Sequence, residues 1–250
     1  MQLHHPDLRH TVLDRWSRGA SALHRTDPRA KIVALLVFLV VVATARRELP
    51  LLAGALFLLL SAAFLWARLP LAGGVGRAAI VLPFSTIFAV VSWLAGDPAR
   101  GVALLLKSYL SALAVLLVVS TTPLPVLLRG LETAGAPRFL LMVAQFLYRY
   151  LFVISGEAQH MSKAAASRGA SVRGLVSNRA RFRAAAGALA VLFARSYGRA
   201  GDIHRAMLAR GFLGHFQPLF ALRFRKSDAA FLVLGSMAPV LVRAAIERAR

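Results

Sequence analysis

The sequence predicts an all-α integral membrane protein with four to five transmembrane helices, plus a set of long amphipathic helices on the cytoplasmic side. Three observations lead to that class. Of 250 residues, 58% are hydrophobic, above the roughly 45–50% typical of soluble domains. The formal net charge is nevertheless +21, and the apolar residues gather in runs bounded by Lys and Arg, as in membrane spans with cationic flanks. The most basic part of the chain also carries apolar residues at helical spacing. A soluble nucleic-acid binder would explain the charge but not the apolar runs. Cysteine is absent, which excludes a disulfide framework and thiolate metal sites.

The N-terminal stretch MQLHHPDLRHTVLDRWSRGA does not read as a signal peptide. No apolar core precedes residue 30, and Asp7 and Asp14 stand among its basic residues. Residues 1–31 are therefore read as a polar, amphipathic arm. In HRTDPRAK (His24–Lys31), Asp27 is placed to cap the following helix and Pro28 suits its first turn. Arg29 and Lys31 are expected at the lipid headgroups.

A span needs about 20 mostly apolar residues, with a range of about 17–25. Ile32–Ala45 has only fourteen, so it crosses only if Lys31 and Arg46-Arg47 snorkel to the interfaces. Leu49–Ala67 is a clearer span, with Trp66 and Arg68 as interfacial anchors. Ala78–Ala95 is a third, broken by Pro83. Gly101–Ser120 is a fourth, and Lys107 inside it is expected to snorkel. Residues 32–120 thus carry four spans. Ala229–Val242, interrupted by Pro239, is a weaker fifth, and residues 229–250 are read as a last span with a basic tail. Five full spans would put that tail outside, against the usual bias, so the side of the C-terminus stays open.

Between the fourth and fifth spans, Thr121–Asp228 holds sixteen Lys/Arg against four acidic residues, a net +12. That excess places residues 121–228 in the cytoplasm, with the N-terminal arm on the same side. Two stretches, RFLLMVAQFLYRYLFVISGEAQHMSKAAASRG and RARFRAAAGALAVLFARSYGRAGDIHRAMLARG, repeat apolar residues at helical spacing but carry several charges. They are expected as amphipathic helices lying under, or partly in, the cytoplasmic face.

Each of these stretches ends on a small residue, an Arg and a Gly: Ser167-Arg168-Gly169 and Ala209-Arg210-Gly211. The plain reading is a helix stop, with Gly in the left-handed conformation and a cation at the negative end of the helix dipole. The repetition adds a second reading. Small residues let another surface approach closely, and an Arg fork bonds a carboxylate bidentately, which Lys cannot match. The two readings are compatible, because the Gly caps the helix and the cap presents the Arg.

Three stretches carry a family resemblance: LHRTDPRAKIV (Leu23–Val33), RYLFVISGEAQHMSKAAASRG (Arg149–Gly169) and RSYGRAGDIHRAMLARGF (Arg195–Phe212). With the order of spans, the chain resembles the transmembrane T component of energy-coupling factor (ECF) transporters, specifically the cobalt-type T protein, the CbiQ family. Gly198 and Gly201 depart from the family, which often has an acidic residue there.

The resemblance implies a subunit of the bacterial inner membrane with no substrate site, no ATP site, no cofactor and no catalytic residue of its own. Its two Arg-Gly helices, the coupling helices, would sit in grooves of two cytoplasmic ABC-type ATPase subunits. Arg168 and Arg210 would be the docking arginines, flanked by Ser167, Gly169, Ala209 and Gly211. The membrane surface would hold a separate substrate-capturing (S) component, and the cargo would be cobalt or nickel ions. One point is independent of the resemblance. A phosphate-binding loop needs Gly-Lys followed by Ser or Thr, and none of the four lysines follows a Gly, so this chain is not itself such an ATPase.

The Ala-rich stretches SKAAASRGA and FRAAAGALA offer small faces, and Ala185, Ala186, Gly187 and Ala190 are expected where the two Arg-Gly helices pack on each other. His4, His5 and His10 form no obvious cage and are assigned no metal; His160 and His204 read as polar residues on helix faces. A stand-alone secondary transporter is the alternative, but it would need polar groups near the membrane midplane, in which these spans are poor. A nucleic-acid role ranks last, since the arginines are interleaved with Ala and Leu rather than with stacking aromatics.

Overall fold

The structure, a computed structural model, describes residues 16, 17, 19, 21–45, 49–168, 178–214 and 224–248. One helical turn, Ala22–Arg25, precedes α1 (Pro28–Thr44), α2 (Leu49–Trp66), α3 (Leu71–Leu94), α4 (Pro98–Thr121) and α5 (Leu124–Thr133). Next come α6 (Arg138–Ser167), α7 (Asn178–Ala209) and α8 (Lys226–Arg248). Among the described residues there is no strand, as expected of an all-α membrane protein.

Local chemistry explains where the helices begin. Asp27 caps α1, its carboxylate accepting the Arg29 N–H at 2.9 Å, with Pro28 in the first turn. Asp97 caps α4 in the same way, accepting the Arg100 N–H at 3.0 Å ahead of Pro98. In α3 a 3-10 turn at Ala79–Val81 precedes Pro83. Proline has no N–H and crowds the carbonyl four residues back, so the helix tightens there instead of continuing regularly. Pro239 lies inside α8, which nevertheless runs for 23 residues.

Four helices are long and apolar enough to cross a membrane among the described residues: α3 and α4 with 24 residues each, α6 with 30 and α8 with 23. Two of these depart from the sequence reading. The last helix is a full-length span candidate, where only Ala229–Val242 was expected. And α6 has the apolar content of a span, although its charges led us to expect an interfacial helix. The reason is their placement: its inner charges, Arg149, Glu157 and Lys163, are spaced widely enough that most of the first two-thirds of the helix is apolar, with Arg149 the one charge between Phe139 and Gly156. The 17-residue α1 is about 25 Å long, short of the roughly 30 Å hydrocarbon core.

The chain divides into two compact units, one of Met1–Ala134 with Ala221–Arg250 and one of Gly135–Phe220. These boundaries fall inside the stretch 121–228, because α5 packs on α1 and Asp228 bonds to the start of α1.

The first unit is built around α1, α2 and α4, whose buried residues include Phe38, Val42, Leu56, Phe64, Leu110 and Leu113. The α3 and α4 helices pack extensively on each other. Gly101 permits this approach, since a Cβ there would lie 2.8 Å from the Ala89 carbonyl oxygen. On its outer side α3 leaves Ile80, Phe84, Ile87, Phe88 and Val91 exposed, a surface suited to lipid.

Polar ties hold α1 at both ends. At its start, the Asp27 N–H donates to Asp228 Oδ1 at 3.0 Å, and the Arg225 N–H donates to Asp228 Oδ2 at 2.8 Å. One carboxylate thereby serves the N-termini of α1 and α8 together. Lys31 Nζ donates to the Thr121 carbonyl at 3.0 Å and to Thr122 Oγ1 at 2.8 Å. Only 2% of Lys31 and 3% of Asp228 are exposed, and the charges of Asp27 and Asp228 act on the ammonium. Lys31 is therefore not at the headgroups. Because α1 starts at Pro28, Lys31 falls within the helix and turns inward.

At the other end, Lys107 Nζ donates to the Ala43 carbonyl at 2.8 Å. It does not simply snorkel as expected; it satisfies a carbonyl that the end of α1 leaves without a helical partner. The Arg243 guanidinium donates to Thr44 Oγ1, and its Nε donates to Glu247 at 2.7 Å. These pairings make α4 antiparallel and α8 parallel to α1, so α8 ends at the opposite end of this unit from Asp27.

Replacing Lys31 with Met should destabilise the protein by about 2–3 kcal/mol, because two buried hydrogen bonds, to the Thr121 carbonyl and to Thr122 Oγ1, are lost. Replacing Lys107 with Met removes an exposed hydrogen bond and should cost about 1 kcal/mol. Thermal unfolding in detergent checks this; equal effects would refute the ranking.

Candidate functional site

The second unit presents the repeated Arg-Gly motif. Its helices α6 and α7 touch each other over a short stretch, where the Arg195 guanidinium donates to the Glu157 carboxylate. On α7, Arg205 pairs with Asp202 at 2.6 Å, three residues apart on an exposed face. Exposed pairs of this kind contribute about 0–1 kcal/mol each. The first half of α6 leaves Phe139, Leu140, Val143, Leu147 and Leu151 exposed, and Tyr148 packs edge-on against Phe152 with ring centroids 5.1 Å apart.

The two helices end in related ways. At the end of α6, the Ser167 hydroxyl donates back to the Ala164 carbonyl at 3.0 Å, and the Arg168 N–H donates to the Ala165 carbonyl at 3.2 Å. Gly169 lies outside the described residues. At the end of α7, Ala209 is the last helical residue and Arg210 follows it. Gly211 takes a φ of +76°, which favours glycine. The Gly211 N–H then reaches the Leu208 carbonyl at 3.0 Å, and the Phe212 N–H reaches Met207 at 3.1 Å. These two bonds form a Schellman cap.

Because backbone N–H groups close the end of α7, the Arg210 side chain is not needed to do so. Arg168 and Arg210 are both exposed, and neither guanidinium has an ion-pair partner among the described residues. Two unspent guanidinium forks at helix ends are suited to binding carboxylates.

The structure does not place the small residues where the sequence suggested. Ala185, Ala186, Gly187 and Ala190 are exposed, and a Cβ on Gly187 would meet nothing within 4 Å. The α6–α7 contact runs instead through Glu157 and Arg195. His160 and His204 are exposed on their helices. Among the described residues no three of His, Asp and Glu converge as metal ligands; His4, His5 and His10 lie outside them.

Sequence reasoning missed the ties of the first unit: Asp228 with the start of α1, and Lys107 and Arg243 with its end. A lone acid opening the last apolar run was the available signal, but nothing local announces a partner 201 residues away.

Residues 19–219 match the model of the cobalt transport protein family, CbiQ, a range that includes both Arg-Gly motifs. The cobalt transport protein CbiQ of Rhodobacter capsulatus is 29% identical over 187 residues, covering 71% of this chain and 73% of its own. The energy-coupling factor transporter transmembrane protein EcfT of Bacillus selenitireducens is 28% identical over 236 residues, covering 81% and 84%.

Two substitutions probe the local reading. Gly211→Ala should destabilise the end of α7 by about 1 kcal/mol, since a Cβ is disfavoured at that φ. Gly187→Leu should leave the melting temperature of the isolated chain unchanged, because no neighbour is displaced. A clear loss of stability in the second variant would show that the face is packed after all.

Proposed function

We propose that this chain, which belongs to the CbiQ family of cobalt transport proteins, is the non-catalytic transmembrane coupling subunit of an ATP-driven ECF importer for cobalt or nickel ions. In this reading ATP is hydrolysed on two ABC-type ATPase subunits, and a separate membrane S component captures the ion. The chain transmits movement between them. The observation that carries the reading is the pair of exposed arginines, Arg168 and Arg210, each at the end of a long helix.

Each guanidinium docks into an acidic or polar groove of one ATPase. Ser167 and Gly169, and Ala209 and Gly211, keep the approach open by being small. The exposed face of Ala185, Ala186, Gly187 and Ala190 then meets a partner subunit instead of α6. The exposed apolar surface of the membrane helices accommodates the S component.

The proposed placement is the bacterial inner membrane, with residues 1–31 and the α6–α7 segment on the cytoplasmic side. The first four helices satisfy it by crossing alternately. It also requires that α6, although apolar enough to span, lies along or dips into the cytoplasmic leaflet. A full crossing would carry Arg168 to the outside, away from any ATPase. With α8 parallel to α1, the C-terminal end lies outside.

Arg168→Ala combined with Arg210→Ala should abolish co-purification with the ATPase subunits and stop ATP-driven uptake. Truncating one partner of a buried charge pair costs about 2–5 kcal/mol, so the double change should be severe, while Arg→Lys should be intermediate because the charge survives without the fork. Full assembly and uptake in the double variant would refute docking. Uptake that persists without any ATPase would favour a stand-alone secondary transporter.

Topology can be read by cysteine labelling, since the chain has no cysteine. Ser162→Cys, exposed on α6, should resist an impermeant thiol reagent added to intact cells. Ala99→Cys, exposed at the start of α4, should react. Labelling at residue 162 from outside would mean that α6 crosses.

A further inference from the structure

The first unit holds an open cavity of about 970 Å³ between α1, α2, α4 and α8. Its walls are mostly apolar, including Leu35, Phe38, Leu60, Leu117, Phe231 and Leu234. From Asp228 to Ala238 it follows α8 for ten residues, about 15 Å at 1.5 Å per residue. A void this size forfeits the packing contacts of every wall residue if left empty. Leu234 and Trp66 in its wall remain largely exposed, so the cavity opens to its surroundings.

One end differs from the rest. Arg25 and Arg225 line it, beside Lys31, Thr121 and Asp228. They lie together because Asp228 bonds both the Asp27 N–H and the Arg225 N–H. The carboxylates there are already engaged with backbone donors and with the Lys31 charge. The Arg25 and Arg225 side chains are exposed and have no ion-pair partner among the described residues. The cavity therefore joins an apolar shaft to a doubly cationic mouth.

We propose that this cavity binds an anionic phospholipid, its acyl chain along Leu35, Phe38, Phe231 and Leu234 and its phosphate on Arg25 and Arg225. An uncharged metabolite would leave the arginines unused, and a metal cation would be repelled by them. A free anion would leave the shaft empty. An anionic lipid satisfies both parts, and a membrane supplies it. This rests only on the chain being embedded in a membrane, not on the coupling role proposed above.

Trp66, in the cavity wall, is the reporter. The full chain, with any subunits that purify with it, is reconstituted in phosphatidylcholine vesicles carrying a minor fraction of acyl-brominated phosphatidylglycerol or, in parallel, acyl-brominated phosphatidylcholine. The Trp66 contribution is the difference in quenching between wild type and Trp66→Phe. Brominated phosphatidylglycerol should quench Trp66 more strongly than brominated phosphatidylcholine. Its apparent affinity should fall about fivefold for each of Arg25→Gln and Arg225→Gln, with the melting temperature unchanged because both side chains are exposed. Ala230→Phe, which fills the shaft, should weaken the preference while keeping both arginines. Equal quenching by the two lipids in the wild type, as expected if a protein helix fills the cavity, would overturn the proposal. A preference unchanged in the double arginine variant would also overturn it.

Discussion

The membrane unit depends on one buried carboxylate. Asp228 accepts backbone N–H groups from Asp27 and Arg225, and so joins the start of the first helix to the start of the last. Helices in hydrocarbon gain little from apolar association with one another, because lipid tails are as apolar as their side chains. An unsatisfied backbone group there is costly. Together these conditions let a few polar ties choose among packings that apolar contacts leave nearly equivalent. Lys31 completes the arrangement by supplying a cation beside two carboxylates and by reaching the end of α4.

Once that end is tied, much of the unit follows. Asp228 sets α8 parallel to α1, and the Lys31–Thr121 bond sets α4 antiparallel. Lys107 and Arg243 secure the far end, where α1 would otherwise expose its last carbonyls. A helix as short as α1 gains most from this. The four helices around the ties do not close completely, and the cavity with its cationic mouth is what remains between them.

The unit of α6 and α7 follows another logic. In α6 only Leu141 is buried, and the contact between the two helices relies on an exposed ion pair whose contribution is small. Such a pair of helices has little internal reason for a fixed packing and much surface for lipid or other proteins. Its most specific local structure is at the helix ends, where Gly211 and the backbone of Phe212 close α7 and leave Arg210 unspent. Family membership and geometry meet at that point, since the matched residues 19–219 include both helix ends, where Arg168 and Arg210 stand exposed.

The sequence alone determined what depends on neighbours a few residues apart. The all-α membrane class came from apolar runs and helical periodicity; the start of α1 came from Asp27-Pro28, and the end of α7 from Gly211. Residue patterns in three stretches were also enough to indicate the family. Tertiary structure decided the rest. Lys31 and Lys107 read as snorkelling residues because sequence shows the charge but not a distant carbonyl that can receive it. Ala185, Ala186, Gly187 and Ala190 read as a helix contact because small residues show where a surface can approach, not which surface does. The reason is range: capping and periodicity act within a turn or two of helix. Asp27 and Asp228, by contrast, stand 201 residues apart and meet only when the whole unit has folded.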